Sequence, residues 1–221
     1  MATLIAPSLL SADFKHLEEE INIAVASGAD YLHFDVMDGK FVNNISFGLP
    51  VLKCVARCHP LINDVHLMID NPKKYVARFV DSGADIVTFH LEACKNKIEV
   101  FDTIDLIHSK GAKAGLSIKP GTPIKEVYPF LGSLEMVLIM SVEPGFGGQK
   151  FDESALDKIY YLRKYLENND YKNVLIEVDG GINDITGPKC VKDGVDILVA
   201  GSYLFGHEDF KERLEKLKIN G

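Results

Sequence analysis

The amino-acid sequence predicts an α/β protein built as one closed (β/α)8 TIM barrel. Three observations carry that expectation. Strand-like apolar runs alternate with helical patterns along the chain, a glycine-marked junction recurs at multiples of one length, and about eight such units fit into 221 residues. Alternation of this kind calls for parallel strands joined by right-handed crossovers. An open doubly wound sheet would need fewer strands and a glycine-rich first turn, whereas the turn after the first strand reads SLLSADF. Residues 1–221 therefore read as a single barrel domain.

The strand candidates, taken in order, are residues 4–10, 31–37, 63–69, 85–91, 113–118, 136–142, 174–179 and 196–200. After the first, Phe14, Leu17, Ile21 and Val25 fall on one helical face, and Gly28 supplies the usual helix stop. Residues 72–82 and 98–109 carry further helical patterns. The punctuation recurs as SGAD at 27–30 and again at 82–85, KGAK at 110–113 and DGVD at 193–196, each leading into an apolar run. Their glycines, Gly28, Gly83, Gly111 and Gly194, lie 55, 28 and 83 residues apart. Those separations are roughly two, one and three lengths of a unit of about 28.

With 47% hydrophobic and 25% charged residues the chain can bury one large core. A net charge of −8 argues against a nucleic acid or an anionic membrane as the main partner, while leaving room for a local anion site. The segment 1–10, MATLIAPSLL, lacks the pattern of a secretory leader, a transit peptide or a membrane span, so a cytoplasmic protein is expected. Cys54, Cys58, Cys94 and Cys190 are scattered and fit neither CxxC chemistry nor a zinc ribbon. Free thiols are expected, with a Cys54/Cys58/His59 metal site as the lesser reading.

The second strand candidate, in LHFDVMDG, sets two polar groups into an apolar run. Side chains alternate across a strand, so His33, Asp35 and Met37 share one face and Leu32, Phe34 and Val36 the other. The apolar set should pack under the helices, which turns the polar set into the barrel near its C-terminal mouth, where such barrels assemble their sites. The third strand repeats the arrangement with Asp64, His66 and Met68, and the seventh with Glu177 and Asp179. His33, Asp35, His66 and Asp179 thus converge on one mouth. Two imidazoles with two carboxylates suit a divalent ion, with zinc first and iron(II), manganese or cobalt as alternatives. The plainer reading is four interior polar groups satisfied by one another. His90 and Glu92 share the phase and would either orient those ligands or form an interior pair of their own. Met37, Met68 and Met140 read as core filler or as a polarizable lining for a flat intermediate.

VEPGFGGQ at 142–149 follows a strand and supplies Gly145, Gly147 and Gly148, whose amides can approach an anion without hindrance from a Cβ. DGG at 179–181 and AGS at 200–202 close the seventh and eighth strands, after which such barrels commonly hold a phosphate. Tight turns need glycine in any case, but three clusters at adjacent strand ends favour phosphate bound by backbone amides.

These stretches, IAPSLLSADF, HFDVMDGKFV, DVHLMI, IKPGTP, SVEPGFGGQKF, VDGGI and AGSYLF, run in order over essentially the whole chain. In them the sequence closely resembles the ribulose-phosphate 3-epimerase family. The resemblance implies a barrel of the ribulose-phosphate binding type, one catalytic domain, a ketose phosphate substrate, a divalent metal and a homo-oligomer, dimer or hexamer. It implies metal ligation by His33, Asp35, His66 and Asp179, with Asp35 and Asp179 also serving as acid and base. It further implies sugar contacts from Ser8 and His66, and phosphate contacts from Gly145, Phe146, Gly147, Gly148, Gly180, Gly181, Gly201 and Ser202. Asn43, in FVNNISFG, departs from the proline usual in the family.

Inversion next to a carbonyl removes a proton from one face and returns one to the other, through an enediolate. Two carboxylates on distant strands suit that exchange. The alternatives are an epimerase of a six-carbon ketose phosphate such as allulose 6-phosphate, a phosphate-binding barrel lyase with Lys119 as its lysine, and a non-catalytic sugar phosphate module.

Overall fold

The protein, seen in a computed structural model, is described over residues 2–219. Eight parallel strands make one sheet: β1 (Leu4–Pro7), β2 (Tyr31–Met37), β3 (Ile62–Met68), β4 (Ile86–His90), β5 (Lys113–Ile118), β6 (Met136–Met140), β7 (Leu175–Asp179) and β8 (Ile197–Ala200). From β2 to β8 each strand pairs with the next in chain order, and β8 pairs with β1. The seam between β1 and β2 is drawn together by a parallel bridge from Ser8 to His33 and by Asp30, whose N–H donates to the Ile5 carbonyl at 3.0 Å. The result is the (β/α)8 barrel expected.

The strands are joined by α1 (Leu17–Ala26), α2 (Leu49–Val55), α3 (Val76–Val80), α4 (Lys97–Ser109), α5 (Ser154–Asn168) and α6 (Thr186–Asp193), and α7 (Phe210–Leu217) follows β8. Between β5 and β6 the chain runs as 3₁₀ turns over Ile124–Ser133, where Pro129 has no N–H to give to an α-helical ladder. All four junction glycines hold left-handed conformations, with φ of 83, 111, 85 and 106° at Gly28, Gly83, Gly111 and Gly194. Such a conformation ends a helix and turns the chain into the next strand at little steric cost only for glycine.

Five strands, β3, β4, β6, β7 and β8, differ from the expectation by only one or two residues at their ends, and three elements depart further. β1 stops at Pro7, because the Ser8 hydroxyl accepts from Leu10 N–H at 3.3 Å and winds the chain into a 3₁₀ turn over Leu9–Ser11. α1 begins only at Leu17. Phe14 sits before it in a 3₁₀ turn, 55% exposed, with its ring edge on Phe47 at 5.3 Å. The pattern at 72–82 breaks into a 3₁₀ turn, Pro72–Lys74, and the short α3, with Asn71 left-handed at φ 54° before the proline.

Burial follows the alternation. Phe34, Leu67, Phe89 and Leu116 face outward from the sheet and are buried with Ile21, Ile104 and Ile159 of the surrounding helices. Burying each such side chain stabilises the fold by about 1.5–3 kcal/mol, which commits the opposite strand faces to the interior. Ala6, Tyr31, Ile86, Met136, Ile197 and Val199 form a separate apolar cluster on those inner faces. Beyond it, towards the C-terminal mouth, come His33, Asp35, Asp64, His66, His90 and Glu177, all buried. No helix among the described residues is long and apolar enough to cross a membrane.

Candidate active site

The site is assembled by register. Parallel pairing sets His33 beside Asp64 and Asp35 beside His66 across β2 and β3, and Met140 beside Asp179 across β6 and β7. His33, Asp35, His66 and Asp179 each bring a ligand atom within 4.8 Å of the others. His33 and His66 are fully buried and Asp35 nearly so, whereas Asp179 opens onto the cavity above. Asp35 is held on both sides: its Oδ2 accepts from Ser8 Oγ at 2.7 Å, and its Oδ1 lies 3.0 Å from His66 Nδ1. His33 Nδ1 bonds Asp64 Oδ2 at 2.5 Å, which turns Nε2 towards Asp35 Oδ1 at 3.3 Å, where it has no hydrogen-bond partner. A buried nitrogen left unpartnered in a nest of carboxylates fits a cation, and the donor set of two nitrogens with carboxylate oxygens suits a borderline divalent ion.

The protein's own field separates the two aspartates. Burial alone would raise Asp35, but the charge on nearby His33 and the hydrogen bond from His66 overcome it and hold that carboxyl far below its usual range. Asp179 lacks such support. Burial, reinforced by the Asp35 charge, pushes it up to about 6. His33 is held well above its ordinary value because the charges of Asp35 and Asp64 outweigh its burial. Behind it, burial and the neighbouring Asp64 raise Glu177, whose two oxygens have no hydrogen-bond partner. Burial lowers His90 to about 4.

Above this set lies a cavity lined by Ser8, Asp35 and Asp179 with Met37, Met68 and Met140, and by the glycine turns with Phe146 and Ser202. The expected residues are thus brought together, except that His33 and His66 lie beneath the cavity wall. Met37, Met68 and Met140 line the same cavity as the two aspartates. Gly145, Phe146, Gly147 and Gly148 curve over one side, shaped by Gln149 Nε2, which donates to the Glu143 and Phe146 carbonyls at 2.8 Å each. Gly180, Gly181, Gly201 and Ser202 face them. Gly181 has φ 60°, and a Cβ there would lie 2.5 Å from Phe151 N and 2.9 Å from the Gln149 carbonyl. Gly181→Ala is accordingly expected to destabilise the protein by at least about 1–3 kcal/mol, read as a lowered Tm.

The loop after β2 reaches across to the same cradle. Asn44 Nδ2 donates to the Gly145 carbonyl at 2.8 Å, and Ser46 Oγ donates to the Asp35 carbonyl at 2.6 Å. Asn43 itself is exposed, so these neighbours, rather than a ring at position 43, hold the loop in place. Ser11 also lines the cavity, and a Cβ on Gly201 would lie 2.5 Å from its hydroxyl. Sequence reasoning passed over Ser11, although the repeat of serine three residues after Ser8 puts both on one side of a 3₁₀ turn. It also left Asp64 and Glu177 without a part. Their inward phase was the signal available. Lys119 Nζ lies 4.1 Å over the Phe41 ring and is not among the cavity-lining residues, which gives a lysine-dependent lyase no footing here. Cys54 and Cys58 are exposed and all four cysteines are free. Neither Cys54, Cys58 nor His59 belongs to a cation-ligating group among the described residues.

The profile of the ribulose-phosphate 3 epimerase family matches residues 4–205. The ribulose-phosphate 3-epimerase of Bacillus subtilis (strain 168) is 43% identical over 214 residues, covering 97% of each chain. That of Mycobacterium tuberculosis (strain ATCC 25618 / H37Rv) is 46% identical over 93% of this chain and 87% of its own. Among solved structures, 3-hexulose-6-phosphate synthase from Salmonella typhimurium superposes with a TM-score of 0.71 at 16% identity, over 99% of this chain and 97% of the other, a likeness of fold alone.

Proposed function

The chain belongs to the ribulose-phosphate 3-epimerase family, and on that premise we propose that it interconverts D-ribulose 5-phosphate and D-xylulose 5-phosphate by inversion at C3. One observation carries this reading: Asp35 and Asp179, from non-adjacent strands, meet at one mouth with their proton affinities driven apart, beside a His/Asp cation set and under a glycine cradle. Paired acids whose environments separate them in this way supply one base and one acid at the same pH.

In the proposed cycle the amides of the 145–148 and 180–181 turns, with Gly201 and Ser202, hold the phosphate. The sugar then extends over Met37, Met68 and Met140 to the two carboxylates. Asp35, the more readily ionised, takes the C3 proton from one face, and Asp179 delivers its own proton to the other. In the reverse direction the roles exchange. Ser8 donates to Asp35 Oδ2 and so keeps that carboxylate aimed. The methionine thioethers exclude water from the flat enediolate without offering it a competing proton. A divalent ion held by His33, Asp35, His66 and Asp179, zinc first and iron(II), manganese or cobalt as alternatives, would supply Lewis-acid stabilisation of the developing oxyanion. The same reading places the enzyme in the pentose phosphate pathway, in the cytoplasm, as a homo-oligomer acting on a small ketose phosphate.

A proton NMR time course with D-ribulose 5-phosphate in D₂O tests the proposal. Xylulose 5-phosphate carrying solvent deuterium at C3 is the expected product. Faster turnover of allulose 6-phosphate would transfer the activity to the six-carbon substrate, and cleavage of the sugar would replace it with a lyase.

A further inference from the structure

Behind the cation set a hydrogen-bonded line runs outward through the barrel wall. His66 Nε2 lies 2.9 Å from His90 Nε2, and His90 Nδ1 lies 3.2 Å from Glu92 Oε2. The other oxygen of Glu92, Oε1, accepts Lys119 N–H at 2.8 Å and the Thr122 hydroxyl. None of these contacts is needed for proton transfer to the sugar, and His90 and Glu92 do not line the cavity.

The direction of each bond in this line follows from its outer end. Glu92 is held to about 2, because hydrogen bonds from His90, Thr122 and Lys119 N–H outweigh its partial burial. It is a carboxylate and can only accept. The proton between Glu92 and His90 therefore belongs to His90 Nδ1. A neutral imidazole with its proton on Nδ1 offers a lone pair at Nε2, so the bond at 2.9 Å requires His66 Nε2 to be the donor. His66 Nδ1, on the other side of the ring, lies 3.0 Å from Asp35 Oδ1, where a bound cation would replace the proton of that hydrogen bond and take the nitrogen's lone pair.

We propose that Glu92 is a positioning residue that, through His90, fixes the His66 ring with Nε2 protonated and Nδ1 turned to the cation site. This rests on the divalent-ion reading given above, and it makes the two histidines alike. His33 is oriented by a carboxylate directly, Asp64, and His66 by a carboxylate one imidazole removed.

Glu92→Gln tests the device with little change of shape. Lys119 N–H and Thr122 demand an acceptor at Oε1, so the new NH₂ group faces His90 Nδ1 and forces that nitrogen to accept. His90 Nε2 then carries the proton, and the bond to His66 reverses. Two measurements read this. The first is ¹⁵N–¹H correlation of histidine side chains: His90 of the wild-type chain is expected as the Nδ1–H form with or without zinc, and as the Nε2–H form in E92Q. The second is zinc affinity by competition with a chelator, expected to fall about 10–100-fold in E92Q. Thr122→Val, which removes a donor to Glu92 on the side away from His90, should leave affinity unchanged. Equal weakening by both variants would assign Glu92 a mere tethering role and overturn the proposal, as would a wild-type His90 protonated at Nε2. A wild-type chain that takes up no zinc while His90 remains the Nδ1–H form would refute the cation reading and leave the hydrogen-bond relay standing. If E92Q fails to fold, the wild-type His90 form still decides.

Discussion

Asp35→Asn and Asp179→Asn are each expected to lower kcat for epimerisation by about 10²–10⁴-fold, the range that a positioned general acid or base contributes. The two losses should not look alike. Each variant keeps one functioning carboxylate, so each should still exchange the C3 proton of one epimer with D₂O while failing to invert it. Exchange without inversion separates a two-base site from one in which a single carboxylate serves both faces. Steady-state rates at saturating zinc, with metal content measured on the same samples, keep loss of a ligand apart from loss of a base. Asp179→Asn should leave Tm close to that of the parent, because the Asp179 carboxyl carries no hydrogen bond from another side chain among the described residues and the amide is nearly its size. Asp35→Asn is the riskier change, since Ser8 and His66 both bond that carboxylate and buried His33 lies beside it. Near-normal turnover in either variant would remove the two-base scheme.

Stripping the protein with a strong chelator is expected to abolish turnover, and added zinc or iron(II) to restore it. Full activity in protein shown to be metal-free would refute the role assigned to the ion. The pH dependence of metal uptake has a predictable sign. With no ion present, Asp179 holds its proton up to about pH 6, and His33 stays protonated well above its ordinary value. An ion must displace the His33 proton and is held more tightly by ionised than by protonated Asp179, so affinity should fall as pH drops below 6 and keep rising above it, with protons released on binding. Calorimetry of zinc uptake in buffers of different ionisation enthalpy would read that release. Affinity independent of pH between 5 and 8 would exclude Asp179 and His33 as ligands.

The sequence by itself determined a good deal here. Strand and helix periods, with junction glycines that all take left-handed conformations, specify the barrel because both are local properties of the chain. Alternation along β2, β3 and β7 settles which side chains turn inward, since a residue facing the core is two places from the next. His33, Asp35, His66 and Asp179 were legible for that reason. Helix beginnings were less so. Phe14 fits the helical spacing, yet aromatic packing against Phe47 and a 3₁₀ turn place it outside the helix.

Only the tertiary structure decided who meets whom inside. That Asp64 rather than Glu177 takes the His33 Nδ1 bond depends on the register between β2 and β3 and on the closure of the barrel, and no pattern within one strand encodes either. The meeting of His66 with His90, the swing of Asn44 onto Gly145 and the approach of Ser11 to Gly201 have the same origin. Each joins residues from separate strands or loops, whose distances are fixed by strand stagger and side-chain packing across the closed sheet. The proton affinities of Asp35 and Asp179 follow from those meetings, because identical carboxyls differ only in what surrounds them.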